Sequence, residues 1–100
     1  MADSITRREL MAGAAAMMQL PGGAGIPTRA LGKAGVRVSV LGLGGHHAAR
    51  PKEEAESFRI IHRAVDEGIT FMDNAWEYHD GRAETVMGKA LAMDGKRKKV

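Results

Sequence analysis

The sequence predicts an α/β fold built on a parallel sheet, and three observations support this. Two short apolar runs, at residues 36–45 and 69–72, have the composition of strands. Each is followed by a segment with the apolar spacing of a helix, at residues 51–68 and 82–93. Strands and helices that alternate with short connections are typical of a parallel sheet, because the helices cover its faces.

Two such units cannot cover a parallel sheet by themselves. A doubly wound sheet and a (β/α)₈ barrel both begin with this order of elements, and the barrel typically needs about 250 residues. We therefore expect these 100 residues to be the N-terminal part of a larger protein.

The elements are predicted in order, beginning with a β-hairpin. Residues 28–40 contain two extended pieces around the sequence GKAG, and valines alternate with polar residues in the second piece. That piece continues as one mostly apolar strand, VSVLGLGG, which ends at Gly44 and Gly45. These glycines would permit a sharp turn or the close approach of a ligand.

Two amphipathic helices are predicted to follow. In the first, Pro51 suits the first turn, glutamates lie near the positive end of the helix dipole, and Gly68 ends the helix. The second ends at Asp94-Gly95. The strand between them, ITFM at residues 69–72, is predicted to be buried, and KKV at residues 98–100 to open a third strand. The predicted apolar faces consist of Ala55, Phe58, Ile61 and Val65 in the first helix, and Ala83, Val86, Met87, Ala90 and Leu91 in the second.

Residues 1–27 are predicted to be an export signal, and residues 28–100 to form the domain. An Arg7-Arg8 pair precedes a mildly apolar run and then PGGAG, which is the order of an export signal. With Thr6 before the arginines, the segment resembles a twin-arginine signal, which would make the export machinery a partner and the location periplasmic or extracellular. The apolar run is shorter than the roughly 20 residues that span a bilayer, so we expect no stable membrane insertion. The alternative is an N-terminal extension on a cytoplasmic protein.

Composition limits the other possible functions. The chain is 44% hydrophobic and 27% charged, which is typical of a globular protein, and it has no cysteine for a disulfide or a thiolate metal site. Its formal charge of +3 could suit a nucleic acid, but the basic run KRKK lacks interleaved aromatic residues, and we interpret it as a solvated loop. A small basic nucleic-acid-binding module remains an alternative, although we expect no nucleic-acid partner.

The candidate site is the polar stretch FMDNAWEYHDG at residues 71–81. Asp73 directly follows an apolar strand, at the end where (β/α)₈ enzymes hold catalytic groups, and Tyr78 comes five residues later. The same residues would also suit a polar turn, in which Asp73 caps and Trp76 and Tyr78 shield the strand end. The histidines lack HxH or HExxH spacing, so no metal site is predicted. No GxGxxG follows the first strand, which argues against a Rossmann dinucleotide site.

The order VSVLGLGG, helix, and then AVDEGITFMDNAWEYHDGRAETVMGKAL resembles the opening of an aldo-keto reductase. The resemblance covers residues 31–100 and implies the N-terminal fragment of a (β/α)₈ TIM barrel, with the hairpin and about two βα units present. It implies a catalytic Asp, Tyr, Lys and His, of which Asp73 and Tyr78 match the first two, while the others would lie beyond Val100. We therefore expect the chain to be inactive alone.

The resemblance also implies a cofactor and a reaction. Gly44, Gly45 and His46 match the family's turn against the nicotinamide end of NADPH, with Asp73 beside it, and NADH is not excluded. The implied reaction is hydride transfer to an aldehyde or ketone, with Tyr78 as the proton donor and no metal. Two departures from the family leave the substrate open. Asn74 stands where many members have Thr or Ser, and Gly45-His46-His47 is not the commonest form of the family's first loop. A sensor or regulatory barrel that binds the nucleotide with little turnover is the alternative.

Overall fold

The computed structural model describes residues 6–8 and 25–100 of the chain. The folded part opens with the predicted hairpin, in which β1 (Thr28–Ala30) pairs antiparallel with β2 (Arg37–Ser39). The turn is closed by the Leu31 N–H, which donates to the Val36 carbonyl at 3.0 Å. The prediction of a hairpin around GKAG is therefore confirmed.

The predicted continuous strand VSVLGLGG is wrong, because the chain bends after Ser39. The next strand, β3 (Gly42–Gly44), starts only after that bend. The Ser39 hydroxyl donates to the Leu41 carbonyl at 2.5 Å, and Ser39 and Thr70 exchange two backbone-to-hydroxyl hydrogen bonds of 2.9 Å each. These local bonds take the place of a straight strand and fix the hairpin to the segment before the next strand.

The strands that carry the candidate site are parallel. β3 pairs with β4 (Phe71–Asp73), with Leu43 opposite Met72 and Gly44 opposite Asp73. Leu43 and Met72 pack against the helical core. Since successive side chains of a strand point to opposite faces, Phe71 and Asp73 point away from the helices. The prediction that residues 69–72 form a buried strand is wrong in this respect, because Phe71, on the face opposite the helices, is 38% exposed.

Three helices follow or connect these strands: α1 (Gly45–Ala48), α2 (Glu54–Asp66) and α3 (Arg82–Leu91). The core lies between α2 and α3, where His62 Nε2 donates to the Ala90 carbonyl at 2.8 Å. The predicted apolar face of α3 is confirmed in full, since its five residues are all buried. The core cluster consists of Ala48, Ile61, Val65, Val86, Met87, Ala90 and Leu91.

Helix α2 departs from the prediction at its start and on its buried face. It begins at Glu54 because Glu53 has an extended backbone, and Pro51 lies in the bend before it. Ala55 is exposed, whereas Ser57 is fully buried beside the predicted Ile61. A methyl group contributes little burial energy, so the larger residues of the helix set its orientation.

The end of α2 is the one predicted. Gly68 has a φ of 105°, its N–H donates to the Val65 carbonyl at 3.0 Å, and the Ile69 N–H donates to the Ala64 carbonyl at 2.9 Å. This pair of bonds is a Schellman motif, which requires a left-handed residue after the helix. Gly68 therefore ends the helix and turns the chain toward β4.

The predicted third strand at residues 98–100 is wrong, since Lys96–Lys99 form a 3₁₀ helix. The basic run is also not wholly solvated. Lys96 is buried, and its Nζ lies 2.7 Å from the Asp66 carboxylate at the end of α2. This ion pair holds the run against the helix pair.

The predicted export signal, residues 1–27, lies almost entirely outside the described residues. Within the part of the chain that the structure describes, no helix has the length and apolar character needed to cross a membrane.

Candidate active site

Asp73 is the last residue of β4, where the predicted site begins. Its register partner is Gly44, the last residue of β3, so the carboxyl ends of both parallel strands meet at this point. Its side chain is exposed and forms no salt bridge with any residue in the described ranges. A groove of about 470 Å³ runs along this face of the strands and is lined by Gly44, Phe71 and Asp73 among others.

Tyr78 lies in the turn between β4 and α3. The turn is held by its own backbone, with the Tyr78 N–H donating to the Ala75 carbonyl at 3.2 Å and the Tyr78 carbonyl accepting from the Ala83 N–H at 3.3 Å. Tyr78 is half-buried. Between residues 25 and 100, no hydrogen bond or ion pair joins it to Asp73, so the two groups share a strand end without direct contact.

His46 brings the loop after β3 to Tyr78. It lies in α1, and its ring meets the Tyr78 ring edge to face, with centroids 5.4 Å apart and an interplanar angle of 74°. The His46 ring also stacks on the His79 ring, with centroids 4.8 Å apart and an interplanar angle of 15°. The fold thus brings together all five predicted site residues: Gly44 meets Asp73 by strand register, Gly45 and His46 follow directly, and Tyr78 contacts His46.

Asn74 and Gly45 fit against each other at the base of the site. A Cβ on Gly45 would overlap the end of the Asn74 side chain, so a larger residue there would have to displace Asn74. Asn74 Nδ2 donates to the Ala83 carbonyl at 3.1 Å, and its Oδ1 accepts from the Ala75 N–H at 3.0 Å. Asn74 therefore ties β4 to the start of α3 while it packs on the first loop.

Arg82 fixes the segment between α1 and α2. Its guanidinium donates to the Pro51 carbonyl at 2.8 Å and the Lys52 carbonyl at 3.3 Å, and also to the Ala49 carbonyl. Arginine presents several donors in a rigid fork, which suits this convergence of carbonyl groups. The segment is thus anchored to the first residue of α3.

Sequence reasoning missed the roles of Asn74, His79 and Arg82. The partners of His79 and Arg82 lie about thirty positions earlier in the chain, and no periodic pattern reports such pairs. A signal was available for Asn74 only, because an amide directly after a strand often bonds to nearby backbone.

No metal site is formed by the described residues, which bring no group of three His, Cys, Asp or Glu side chains within ligating range of one another. A second groove, of about 690 Å³, is lined by residues of α2 such as Arg59, Ile60 and Arg63. None of the predicted site residues lines it. The strand ends, rather than this groove, are therefore the candidate site.

Comparison with protein families gives a match for the region that forms this site. Residues 40–100 match the Aldo/keto reductase family. The chain also resembles the solved structure of aldo-keto reductase AKR11C1 from Bacillus halodurans in its holo form, with a TM-score of 0.65 and 32% identity. That likeness covers 75% of this chain and 24% of that one, so the β-hairpin and βα units correspond to a part of a TIM barrel.

Curated relatives agree with this match. An uncharacterized oxidoreductase of Bacillus subtilis, YrpG, is 39% identical over 72 aligned residues, and the match covers 68% of this chain and 22% of the relative. Aldo-keto reductase AFTS1 of Alternaria alternata is 38% identical over 69 residues, and the match covers 63% of this chain and 19% of that relative. A probable voltage-gated potassium channel subunit beta of Arabidopsis thaliana is also 38% identical over 69 residues, and the match covers 68% of this chain and 21% of that relative. The chain therefore spans about a fifth of the length of these relatives.

Proposed function

The chain belongs to the aldo/keto reductase family, and we propose that the whole protein reduces the carbonyl group of an aldehyde or ketone with NADPH or NADH. The observation that carries the proposal is the convergence at one edge of the parallel strands. Gly44 and Asp73 are register partners there, and the His46 ring touches Tyr78. The small carbonyl substrate would meet the Tyr78 hydroxyl at this edge.

Tyr78 would act as the general acid. When a carbonyl is reduced, negative charge develops on its oxygen, and a donor within hydrogen-bond reach lowers the barrier. The half-buried ring contacts the His46 ring, and the backbone of the turn is held by hydrogen bonds, so the hydroxyl lies on a supported loop. Such support is what a positioned proton donor requires.

Asp73 would hold a cationic partner. A free tyrosine gives up its proton too reluctantly to cycle near neutral pH, and a neighbouring lysine cation would favour the phenolate. The exposed Asp73 carboxylate has no cation beside it among the described residues, which leaves it available to a lysine from later in the whole protein. Asp73 is then a positioning residue, and Tyr78 is the catalytic residue.

The residues at the strand ends fit a nicotinamide nucleotide. Apart from its chain neighbours, no atom of the described residues lies within 4 Å of the place where a Cβ of Gly44 would stand, so a flat ring can approach the backbone there. His46 and Asp73 would border that approach. The bound nucleotide would supply the hydride, and the chain's own residues would orient the carbonyl and supply the proton.

Replacement of Tyr78 by Phe in the complete protein tests the proposal. The variant removes one hydroxyl and keeps the ring that packs on His46, so the fold and the affinity for the nucleotide should be unchanged. Turnover of an aldehyde should fall by roughly 10² to 10⁴, the contribution of a positioned general acid. Single-turnover reduction with preloaded NADPH measures the step directly. An unchanged rate of hydride transfer would remove Tyr78 from the mechanism.

A regulatory barrel is the second candidate, and the similarity to a probable potassium channel subunit beta favours considering it. In that case the complete protein would bind the nucleotide at the same strand ends but turn over little. A steady-state assay across a panel of aldehydes, alongside a nucleotide-binding titration, distinguishes the two candidates. Tight binding without turnover on any aldehyde would support the regulatory role.

A further inference from the structure

We propose that His79 is a positioning residue that holds Tyr78 in the orientation for proton donation, acting through His46. The proposal rests on the proposed role of Tyr78. His79 follows the proposed proton donor directly in the sequence, and its side chain contacts His46 in α1, the helix that follows β3.

His79 first holds the backbone of His46. Its Nε2 lies 2.9 Å from the His46 carbonyl oxygen. Because a carbonyl oxygen can only accept a hydrogen bond, Nε2 carries the hydrogen and His79 is the donor. The turn that carries Tyr78 is thus tied directly to α1.

His79 also holds the ring of His46. The two imidazoles stack nearly in parallel, at 4.8 Å and 15°, and the His46 ring meets Tyr78 at 5.4 Å and 74°. The His46 ring therefore contacts both His79 and Tyr78, and rotation of that ring would disturb both contacts. Stacked and edge-to-face arrangements are the preferred geometries of ring pairs, so the three rings support one another.

The backbone at His79 argues that the histidine is present for these contacts and not for local stability. His79 and Asp80 have φ values of 55° and 54°, in the left-handed region that costs a non-glycine residue free energy. A glycine at residue 79 would relieve that cost and lose both contacts with His46. Strain of this kind is retained where the surrounding structure, and commonly a function, requires the side chain.

The test compares His79→Gly, His79→Phe and His47→Ala in the complete protein. His79→Gly should unfold at the same temperature as the wild type or higher, while kcat at saturating NADPH falls by roughly 10-fold to 10²-fold. The primary isotope effect on kcat with deuterated NADPH should rise, because the chemical step becomes slower. His79→Phe keeps a ring for stacking but has no hydrogen-bond donor, and its kcat should fall less than that of His79→Gly.

His47→Ala is the matched control. His47 is exposed and its ring lies nearly perpendicular to the His46 ring, at 5.1 Å and 83°, so its removal should leave kcat within about twofold of the wild type. A His79→Gly protein with the kcat and isotope effect of the wild type would overturn the inference while the proposed function stands. A less stable His79→Gly protein with an unchanged rate per folded molecule would also overturn it, by making His79 purely structural. A wild type that reduces no aldehyde would overturn the proposed function, and this inference with it.

Discussion

At the scale of single residues, two buried serines differ in how their hydroxyls are satisfied. Ser39 Oγ accepts from the Thr70 N–H and donates to the Leu41 carbonyl. Ser57 is fully buried in α2, and its hydroxyl has no hydrogen-bond partner within the described residues. A buried polar group without a partner costs about 1–3 kcal/mol, so the two positions should respond to alanine in opposite directions.

We expect Ser57→Ala to raise the free energy of unfolding of the complete protein by about 1 kcal/mol. The change removes an unsatisfied hydroxyl and places a better helix former in α2. Urea denaturation measures the effect. Ser39→Ala is the control and should lower the free energy of unfolding by about 1–3 kcal/mol, because it leaves two backbone groups unpaired. Equal losses in both variants would show that Ser57 finds a partner.

The residues of the site were predictable from the sequence to different degrees. The place of Asp73 at a strand end, and of Tyr78 in the turn after it, follows from a short apolar run and the polar residues behind it. His79 and Arg82 were not predictable in this way, because each acts on carbonyl groups of the preceding loop. Contacts between such distant positions depend on how the elements pack, which local patterns do not report.

At the scale of elements, the junction of β3 and α1 contains two adjacent glycines with different surroundings. Gly44 faces open space, with an ordinary φ of −83°, whereas the Asn74 side chain occupies the place of a Cβ on Gly45. The same substitution therefore tests close packing at one position and access from outside at the other.

Gly45→Ala should destabilise the complete protein by about 1–3 kcal/mol, since the new methyl displaces Asn74 from its bonds to the start of α3. Gly44→Ala should leave the unfolding temperature unchanged and weaken NADPH binding, if the nucleotide approaches the backbone there. Differential scanning calorimetry and a nucleotide titration of both variants give the two readouts. A stable Gly45→Ala protein would contradict the packing argument.

The ion pair between α2 and the 3₁₀ helix gives a prediction for pH. The hydrogen bond from Lys96 lowers the pKa of Asp66 below its ordinary value. A carboxyl whose pKa is lower when folded stabilises the fold above its unfolded pKa, about 3.9, and this stabilisation is lost as pH falls through the folded value. Asp66→Asn should therefore be less stable than the wild type near neutral pH, and the difference should shrink below about pH 4.

Urea midpoints measured from about pH 2 to pH 7 would check this, with Glu56→Gln as the control. Glu56 forms an exposed ion pair with Arg59 on the same helix, and exposed pairs contribute little. The control should thus follow the wild type at every pH. A difference for Asp66→Asn that stays constant down to pH 2 would contradict the assignment.

The boundaries and faces of elements were predicted less accurately than their order. The order of hairpin, strand, helix, strand and helix is the one that periodicity and punctuation predicted. The break at Val40 and Leu41 was missed because the apolar pattern continues through it, and the bend is set by the hydroxyls of Ser39 and Thr70. The run at residues 96–99 was misassigned because Lys96 has a partner on α2, thirty positions away.

At the scale of the whole molecule, the face of β3 and β4 opposite the helices is the main feature. Large apolar side chains remain exposed in the described structure, among them Leu41 at 57% and Trp76 at 66%. Two parallel strands with free edges and an apolar face are a site for association. The export signal of residues 1–27 stays a prediction, because it lies almost entirely outside the described residues.

Residues 28–100 produced alone should be unstable or should associate, because the exposed strand edges and apolar residues have no cover. Analytical ultracentrifugation combined with thermal melting followed by circular dichroism measures both properties. A monomer with one cooperative thermal transition would contradict this expectation.

Arg82 anchors the segment between α1 and α2, and this bears on the engineering of substrate choice. The carbonyl groups of Ala49, Pro51 and Lys52 all converge on a side chain that lies beyond β4. A graft of residues 45–53 from another member of the family would bring new carbonyl positions to an arginine placed for the old ones. The exchangeable module is consequently discontinuous in the gene, and a chimaera should carry residues 45–53 together with residue 82 if the transplanted loop is to keep its native shape.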